Sequence, residues 1–408
     1  MKKTTCAFGF YDLEGQRSWV IRKGIEESGY DVVLCRTDAR GFLPKIRDLF
    51  NQWKKIECSL ASTQEPKLAA IPTTINRNQR DEIIARRRAS PAWSATTEGR
   101  VGSWEGHRRW PSHAIDALYV VFPGHYVMPL AWWLARKRKI PIILDVFISL
   151  YETEVEDRKR VSQWNPKAWM LWLIDWSACA LAETILIDTE EHRDFFVKRY
   201  RIAREKFLVI PVGCRTDLFF PRATEQQETF RVRFHGSFIP LHGVETILHA
   251  AQELKNDGIV FELAGKGQTL PAMQKLAEEL DLTNVRFVGM KPLREIPDFI
   301  AGADACLGIF GTGAKAKRVI PTKAFEILAM GKPLITARSP ATERVFRDRE
   351  NAMLVTAGDP RDLAEKIREL KTHSDIAASI AQNGRSLFLK KFQPWTVVEP
   401  LVAWLQTH

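Results

Sequence analysis

A glutamate and several basic side chains cluster around a short predicted helix, and these residue types together can hold a phosphorylated ligand. Residues 318–335 have the pattern of a loop, a helix and a buried strand, with Glu326 near the helix start. Thr322 is expected to cap the helix, and Gly331 to end it. The basic residues that precede the helix are Lys315, Lys317 and Arg318. Because free N–H groups at a helix start favour anions, the segment predicts a phosphate-binding site.

Two polar residues in the first half follow predicted buried strands. The strands are predicted at residues 116–122 and 141–147, and open α/β sheets place ligands at the carboxyl ends of such strands. His125 follows the first strand and Asp145 lies near the end of the second. We therefore expect both to face a cleft, where they could contact an acceptor substrate or transfer a proton. A loop histidine is more often structural, so a structural role for His125 is the alternative.

Composition sets the class of protein and its partners. The chain has 408 residues, of which 45% are hydrophobic and 27% charged, which suits a globular enzyme of about two domains. Its net charge of +11 favours anionic partners, whether nucleotide phosphates, acidic lipids or nucleic acid. Six singly spaced cysteines argue against a disulfide framework and a structural zinc site, so we expect a cytoplasmic location.

A tryptophan-rich region has two possible roles. Its tryptophans are Trp132, Trp133, Trp169, Trp172 and Trp176, and basic residues such as Arg136, Lys137, Arg138 and Lys167 lie near them. The apolar run at residues 168–182 is too short to cross a bilayer. The tryptophans could pack inside a core, or they could rest on an anionic membrane surface and make the protein peripheral to it. Both interpretations stay open.

The order of elements predicts two domains with parallel sheets. Strands alternate with amphipathic helices, first over residues 1–220 and again over residues 230–385. Residues 51–113 contain 11 Lys or Arg and six Asp or Glu residues in a polar context, which favours a mobile basic insertion. Residues 386–408 are expected to form a C-terminal helix that packs back on the first domain. The predicted fold is α/β, with two Rossmann-like domains facing each other across a cleft.

Short motifs in the second half carry a family resemblance. In order, they include His235-Gly236-Ser237, Gly265-Lys266-Gly267, and Phe325-Glu326 continuing to Gly331 and Pro333. Over residues 207–370 the chain resembles the retaining, family 4-type glycosyltransferases of GT-B fold. The resemblance implies sugar transfer from a nucleotide-diphosphate donor, with retention, without a cofactor and without a metal. It implies as acceptor a glycan, a lipid-linked group or a small molecule, and no nucleic acid.

The resemblance also implies roles for individual residues. In that family the carboxylate at the place of Glu326 holds the donor's ribose or sugar. The partner position eight residues earlier is usually Glu but is Arg318 here, and the places of two usual phosphate-binding cations are Ser237 and His242. The donor phosphates are then expected to meet Arg318, Lys323 or Lys266, together with helix N–H groups near Gly236. The expected donor site is completed by Thr322 and Ser237.

Two alternatives remain beside the glycosyltransferase. A nucleotide-sugar epimerase or phosphorylase can share the two-domain fold. The changed residues Arg318, Ser237 and His242, with the basic charge, also permit a non-catalytic protein that binds anionic surfaces.

Overall fold

The computed structural model describes residues 3–62, 115–224 and 228–408. The described residues 3–53, 115–224 and 228–408 belong to one compact unit. This unit contains two six-stranded sheets in which all neighbouring strands run parallel. The predicted α/β architecture with two parallel sheets is therefore confirmed.

The first sheet forms where the sequence has short, continuous apolar runs. Its spatial order is β2-β1-β3-β4-β5-β6. The strands are β1 (Thr4–Gly9), β2 (Asp31–Arg36), β3 (Ala117–Val120), β4 (Ile142–Asp145), β5 (Thr184–Ile187) and β6 (Phe207–Val209). The helices are α1 (Gln16–Glu27), α2 (Phe42–Ser62), α3 (Met128–Arg138), α4 (Pro166–Leu181) and α5 (Glu190–Tyr200). Strands such as β3 and β4 are buried along their full length, as expected when helices cover both faces of a sheet.

The second sheet repeats this arrangement, with the order β12-β11-β10-β7-β8-β9. Its strands are β7 (Phe230–His235), β8 (Ile259–Ala264), β9 (Val285–Gly289), β10 (Ala305–Leu307), β11 (Leu334–Ala337) and β12 (Met353–Val355). Its helices are α6 (Val244–Glu253), α7 (Leu270–Glu279), α8 (Ile296–Ala301), α9 (Thr322–Ala329), α10 (Pro340–Val345), α11 (Pro360–Thr372) and α12 (Ser374–Lys391). β7 lies in the middle of the sheet, so its carboxyl end is well placed to carry a ligand site.

Helix α2 corrects the predicted start of the basic insertion. The insertion was expected to begin at residue 51, but α2 continues to Ser62. Trp53 and Ile56 are buried, and the Trp53 ring packs edge-on to Phe8 of β1 with centroids 6.3 Å apart. Leu49, Trp53 and Ile56 have helical spacing, and this apolar stripe outweighs the polar composition around it. Residues 63–113 of the predicted insertion lie outside the described residues.

The C-terminal segment is not the single helix expected for residues 386–408. Residues 386–391 end α12, and two shorter helices follow, α13 (Pro394–Val397) and α14 (Glu399–Thr407). Pro394 and Pro400 each lie in the first turn of a new helix, where a missing N–H group costs nothing. Helix α13 packs on α1, and Lys3 Nζ donates a hydrogen bond to Leu405 O at 2.5 Å.

A shared core joins the two sheet domains on the side of α9. Phe325 of α9 and Phe392, which follows α12, pack with ring centroids 4.9 Å apart and planes at 65°. Both belong to the same buried cluster as Val20 of α1. This contact brings the start of α9 close to the carboxyl ends of the first sheet.

The five tryptophans of the aromatic region differ in their exposure to solvent. Trp133, Trp169 and Trp176 are 46%, 68% and 40% exposed, whereas Trp132 and Trp172 are partly buried. A purely core role is therefore wrong for the three exposed rings. Within the described chain, no helix combines the length and apolarity needed to cross a membrane.

Candidate functional site

Helix α9 presents the glutamate on which the predicted site was based. It starts at Thr322, but Pro321 occupies the cap position and no side chain caps the helix. The expected capping role of Thr322 is therefore wrong: Thr322 is the first helical residue, one position too late to cap. Gly331 ends the helix as predicted, with φ of +65° and its N–H bonded to Leu328 O at 3.0 Å.

The Glu326 carboxylate is held from both domains. It is 5% exposed, and His235 Nε2, at the end of β7, lies 2.7 Å from Glu326 Oε2. From the first domain, Gln16 Nε2 donates to Glu326 Oε1 at 2.5 Å, while Gln16 Oε1 accepts from the Arg215 backbone N–H at 3.1 Å. Both carboxylate oxygens are thus oriented by neutral or titratable partners, and Gln16 is a partner that a hydroxyl group of a ligand could replace.

Lys323 lies one helical turn before Glu326 and beneath the turn that follows β7. Its Nζ atom is 3.8 Å from the centroid of the Phe234 ring and 3.5 Å from Gly308 O. Burial lowers the pKa of Lys323 well below its usual value, although Glu326 opposes this effect. A Cβ at Gly236 would lie 2.7 Å from Lys323 Nζ, so the small residue at Gly236 makes room for the amine. Lys323, Gly236 and Glu326 are therefore brought together.

The turn after β7 packs closely on the turn after β8. The Gly236 N–H donates to Ala264 O at 3.0 Å, and the Phe238 N–H donates to Lys266 O at 2.9 Å. The sheet edge therefore uses the Gly236 N–H itself, and phosphate binding by helix N–H groups near Gly236 stays a prediction. Ser237 and Lys266 lie on these two turns, and they are the only two of the predicted donor residues with exposed side chains.

His242 belongs to the same turn but does not offer a charge. Burial lowers its pKa well below the usual value, and the nearby Lys323 lowers it further. The His242 Nδ1 atom is hydrogen-bonded to Ser237 O. Neutral His242 therefore fixes the turn and leaves phosphate binding to other groups.

Arg318 is paired with an acid of the first domain. Its guanidinium forms an ion pair with Glu152 and stacks over the Phe195 ring at 4.2 Å from the centroid. The Thr189 hydroxyl donates to Arg318 O. Burial would raise the pKa of Glu152, but His192, Lys315 and Arg318 outweigh it and lower the pKa to about 2. The predicted phosphate-binding role requires Arg318 to be a free cation, but its charge is already paired with Glu152.

Behind this pair lies a histidine with two acidic neighbours. His192 Nδ1 is 2.7 Å from Asp188 Oδ1, and His192 Nε2 is 3.7 Å from Glu152 Oε2. Burial would lower the pKa of His192, but Asp188 and Glu152 raise it above its usual value. Glu152 Oε2 and His192 Nε2 are both buried without a hydrogen-bond partner. A hydroxyl group could bridge them, so the pair has unused binding capacity.

A cavity of about 250 Å³ opens beside the Arg318–Glu152 pair. Glu152, Asp157 and Lys159 line it from the first domain, and residues 312–316 and Arg318 line it from the second. Lys315 Nζ also crosses between the domains and donates to Thr153 Oγ1 at 2.8 Å. The cavity thus has acidic and basic walls, which suits a ligand rich in hydroxyl groups.

Asp145 and His125 are not exposed to the cleft. Asp145 ends β4 as expected, but it is fully buried and accepts two bonds from Arg17 Nε, at 2.8 and 3.0 Å. His125 is 2% exposed, and its Nε2 lies 3.6 Å from Asp175 Oδ1. The predicted contacts with an acceptor are wrong for this structure, because both side chains are buried inside the first domain.

Sequence reasoning missed Gln16, Glu152, Asp188 and His192. Asp188 directly follows β5, so the strand-end argument that selected Asp145 could have selected it as well. Its spacing to His192 is one helical turn. Gln16 and Glu152 had no comparable signal, since each is defined by a partner in the other domain. Among the described residues, no three His, Cys, Asp or Glu side chains are grouped to hold a metal ion.

Known proteins resemble both the sequence and the fold. Residues 216–387 match the family of glycosyl transferases group 1. The chain is 27% identical over 220 residues to the probable glycosyltransferase WbjE of Pseudomonas aeruginosa, covering 51% of this chain and 52% of that protein. It is 26% identical over 254 residues to the MMP α-(1→4)-mannosyltransferase of Mycolicibacterium hassiacum, covering 61% and 56%. The chain spans about half the length of the curated relatives it matches.

Solved structures extend the resemblance to both domains. Anabaena Alr3699/HepE, in complex with UDP and glucose, aligns with a TM-score of 0.65 over 100% of both chains at 14% identity. Sucrose-phosphate synthase from Thermosynechococcus elongatus aligns with a TM-score of 0.66 over 100% of this chain and 99% of that one, also at 14% identity. At such identities the likeness concerns the fold, and that fold is GT-B.

Proposed function

We propose that this chain, whose residues 216–387 match the group 1 glycosyl transferases, is itself such an enzyme and moves a sugar from a nucleotide-diphosphate donor to an acceptor. The proposed acceptor is a glycan or a lipid-linked group, and the proposed outcome is retention at the anomeric carbon. The proposed location is the cytoplasm. Relatives named for lipopolysaccharide core and mannosyl transfer support this class of acceptor and donor.

The observation that carries the proposal is the Glu326 carboxylate held between His235 and Gln16. It stands at the carboxyl end of the central strand β7 and is reached from both domains. A donor ribose or sugar hydroxyl can donate to Glu326 Oε1 once Gln16 moves, while His235 keeps the carboxylate in place. The fold neighbour in complex with UDP and glucose supports a nucleotide sugar as the ligand of this site.

The donor phosphates are assigned to the turns above Lys323. Lys266 and Ser237 are exposed on these turns and can approach a diphosphate directly, whereas Lys323 is buried beneath them. As the glycosidic bond breaks, the leaving diphosphate gains charge, and fixed cations stabilise it without rearrangement. Arg318 can join them only if it leaves Glu152, so we assign it to the sugar end of the site.

Thermal-shift measurements with UDP, GDP and ADP and their sugars test the donor site. The wild type is expected to prefer one base, and Glu326→Gln to weaken binding of that nucleotide sugar about 10- to 100-fold, because a hydrogen bond to a charged group is worth about 1.5–3 kcal/mol. Glu365→Gln, an exposed glutamate on α11, is the matched control and should bind like the wild type. Equal shifts for all nucleotides, abolished by salt, would support a non-catalytic binder of anionic surfaces.

Product analysis separates the enzyme classes. A transferase yields a free nucleoside diphosphate and a new glycoside whose anomeric configuration, read by NMR, matches the donor. An epimerase returns an altered nucleotide sugar, and a phosphorylase depends on inorganic phosphate. Turnover is expected to persist in excess EDTA, and its loss on chelation, with recovery on adding Mg²⁺, would contradict the proposed metal independence.

A further inference from the structure

The outer face of helix α4 carries large apolar side chains where a helix on a soluble protein's surface usually carries polar ones. Trp169, Leu173 and Trp176 follow one another at helical spacing and are 68%, 54% and 40% exposed. Met170 and the preceding Trp164 are exposed beside them. We define these five residues as the α4 face. Large apolar side chains that are contiguous on a surface usually mark a binding site.

The exposed charges on α4 itself and at the end of the neighbouring helix α3 are all positive. Lys167 is the only exposed charged residue of α4, and its only acid, Asp175, is fully buried. On the neighbouring helix α3, Arg136 stacks over Trp132 at 5.1 Å and Lys137 over Trp133 at 5.5 Å. Indole rings next to basic side chains are typical of protein segments that lie in the headgroup layer of a bilayer.

We propose that the α4 face, with the basic ends of α3 and α4, docks on an anionic lipid bilayer. Tryptophan, leucine and methionine side chains enter the headgroup region, and the Lys and Arg side chains bind lipid phosphates. A second copy of the chain fits less well, because a two-fold contact through this face would bring two sets of Lys167, Arg136 and Lys137 together. The proposal goes beyond the proposed sugar transfer and does not depend on it, since docking needs no turnover.

The inner face of α4 connects this surface to the cleft. Asp175 accepts hydrogen bonds from Ser149 Oγ at 2.7 Å, from Leu150 N at 3.1 Å and from Tyr151 N at 3.0 Å. These bonds fix the chain immediately before Glu152, which lines the cavity and pairs with Arg318. Ala168 of α4 packs with Val155 from the same cavity-lining segment. A bilayer at α4 therefore lies next to the segment that forms one wall of the cleft, which suits a lipid-linked acceptor.

Vesicle flotation with the 408-residue chain tests the docking. We expect binding to vesicles of phosphatidylcholine with phosphatidylglycerol, weaker binding to phosphatidylcholine alone, and loss of the difference at high salt. The variant Trp169→Gln/Leu173→Gln/Trp176→Gln should reduce the partition coefficient at least about tenfold. The free energy gained by fully burying even one side chain of this size corresponds to a factor of that order. Met290→Gln, an apolar residue 62% exposed on the second domain, is the matched control and should bind normally.

A second variant separates charge from apolar contact. Lys167→Glu leaves the aromatic residues intact and should lower binding to anionic vesicles while hardly changing binding to neutral ones. Circular dichroism and the melting temperature check that each variant is folded. Wild type that floats with neither vesicle, or a triple variant that binds like wild type, overturns the proposal. It is also overturned if light scattering shows a wild-type dimer that the triple variant converts to monomer, since α4 is then a subunit interface.

Discussion

Asp145 and Glu152 lie only seven residues apart in the chain, and both are acids paired with an arginine. Their side chains are 0% and 1% exposed. Asp145 binds Arg17 within the first domain, whereas Glu152 binds Arg318 from the second. Burial is the same in both cases, so it does not distinguish their roles. The two roles differ because the arginine comes from a different place in each pair. The Asp145 pair stabilises a domain, and the Glu152 pair joins two domains beside a cavity.

The largest effect is expected from breaking the pair inside the domain. Asp145→Ala leaves Arg17 buried without its acid, which should lower the free energy of unfolding by about 3–5 kcal/mol. Urea denaturation followed by circular dichroism measures this loss. Asp375→Ala, an exposed acid in the first turn of α12, is the control and should cost less than about 1 kcal/mol. A small loss for Asp145→Ala would show that the Arg17 pair contributes no more than a surface pair.

Breaking the Arg318–Glu152 pair between the domains should have a smaller effect. The size of that effect should depend on whether the other partner is also changed. Arg318→Glu installs the acid that the family usually has at this place, but it sets two carboxylates against each other. It should open the cleft, seen as a larger radius of gyration by small-angle X-ray scattering, and Glu152→Gln in the same chain should reverse this. In urea denaturation, Glu152→Gln and Arg318→Ala should show a coupling energy of about 0.5–3 kcal/mol. Additive effects would mean that the two residues do not pair in solution.

The smallest effect should be a pH dependence specific to the interdomain pair. Glu152 has a lowered pKa, so its stabilisation is full above its unfolded value of 4.5 and is lost as the pH falls towards about 2. His192 has a raised pKa, so its stabilisation is full below its unfolded value of 6.5 and is lost as the pH rises through its folded value. The contact is therefore strongest between about pH 4.5 and 6.5.

Two variants can assign this pH dependence. His192→Asn should remove the loss of stability above pH 6.5, measured as the free energy of unfolding against pH. His249→Asn, a residue on α6 away from this pair, is the control and should leave the profile unchanged. If both profiles coincide with that of the wild type, another group titrates in this range.

The sequence predicted the strands better than the contacts between domains. Buried parallel strands such as Ile142–Asp145 are continuous apolar runs, so both their positions and their carboxyl ends could be predicted. The family resemblance, not the strand pattern, implied one donor site for Glu326, Lys323 and Gly236, and helix α9 and strand β7 bring these residues together in the structure. It could not predict that Gln16 binds Glu326 or that Glu152 binds Arg318. These contacts depend on how two separately folded sheets approach each other, and no local spacing encodes that.

The failures for Asp145 and His125 have a different physical cause. A strand end gives the position of a side chain but not its exposure, and Arg17 and Asp175 come from helices that cover those ends. For Thr322 the error was a single residue, since Pro321 takes the cap position. The extension of α2 was missed because its polar composition concealed the stripe of Leu49, Trp53 and Ile56.

Helix α13 has a consequence for the order in which the molecule can assemble during translation. It packs on α1, where Gly24 leaves room for the chain, since a Cβ there would clash with the backbone oxygen of Pro394. The first sheet thus lacks part of its outer cover until residues 394–407 have left the ribosome. The domain whose synthesis begins first is therefore completed only after the second domain has been synthesised.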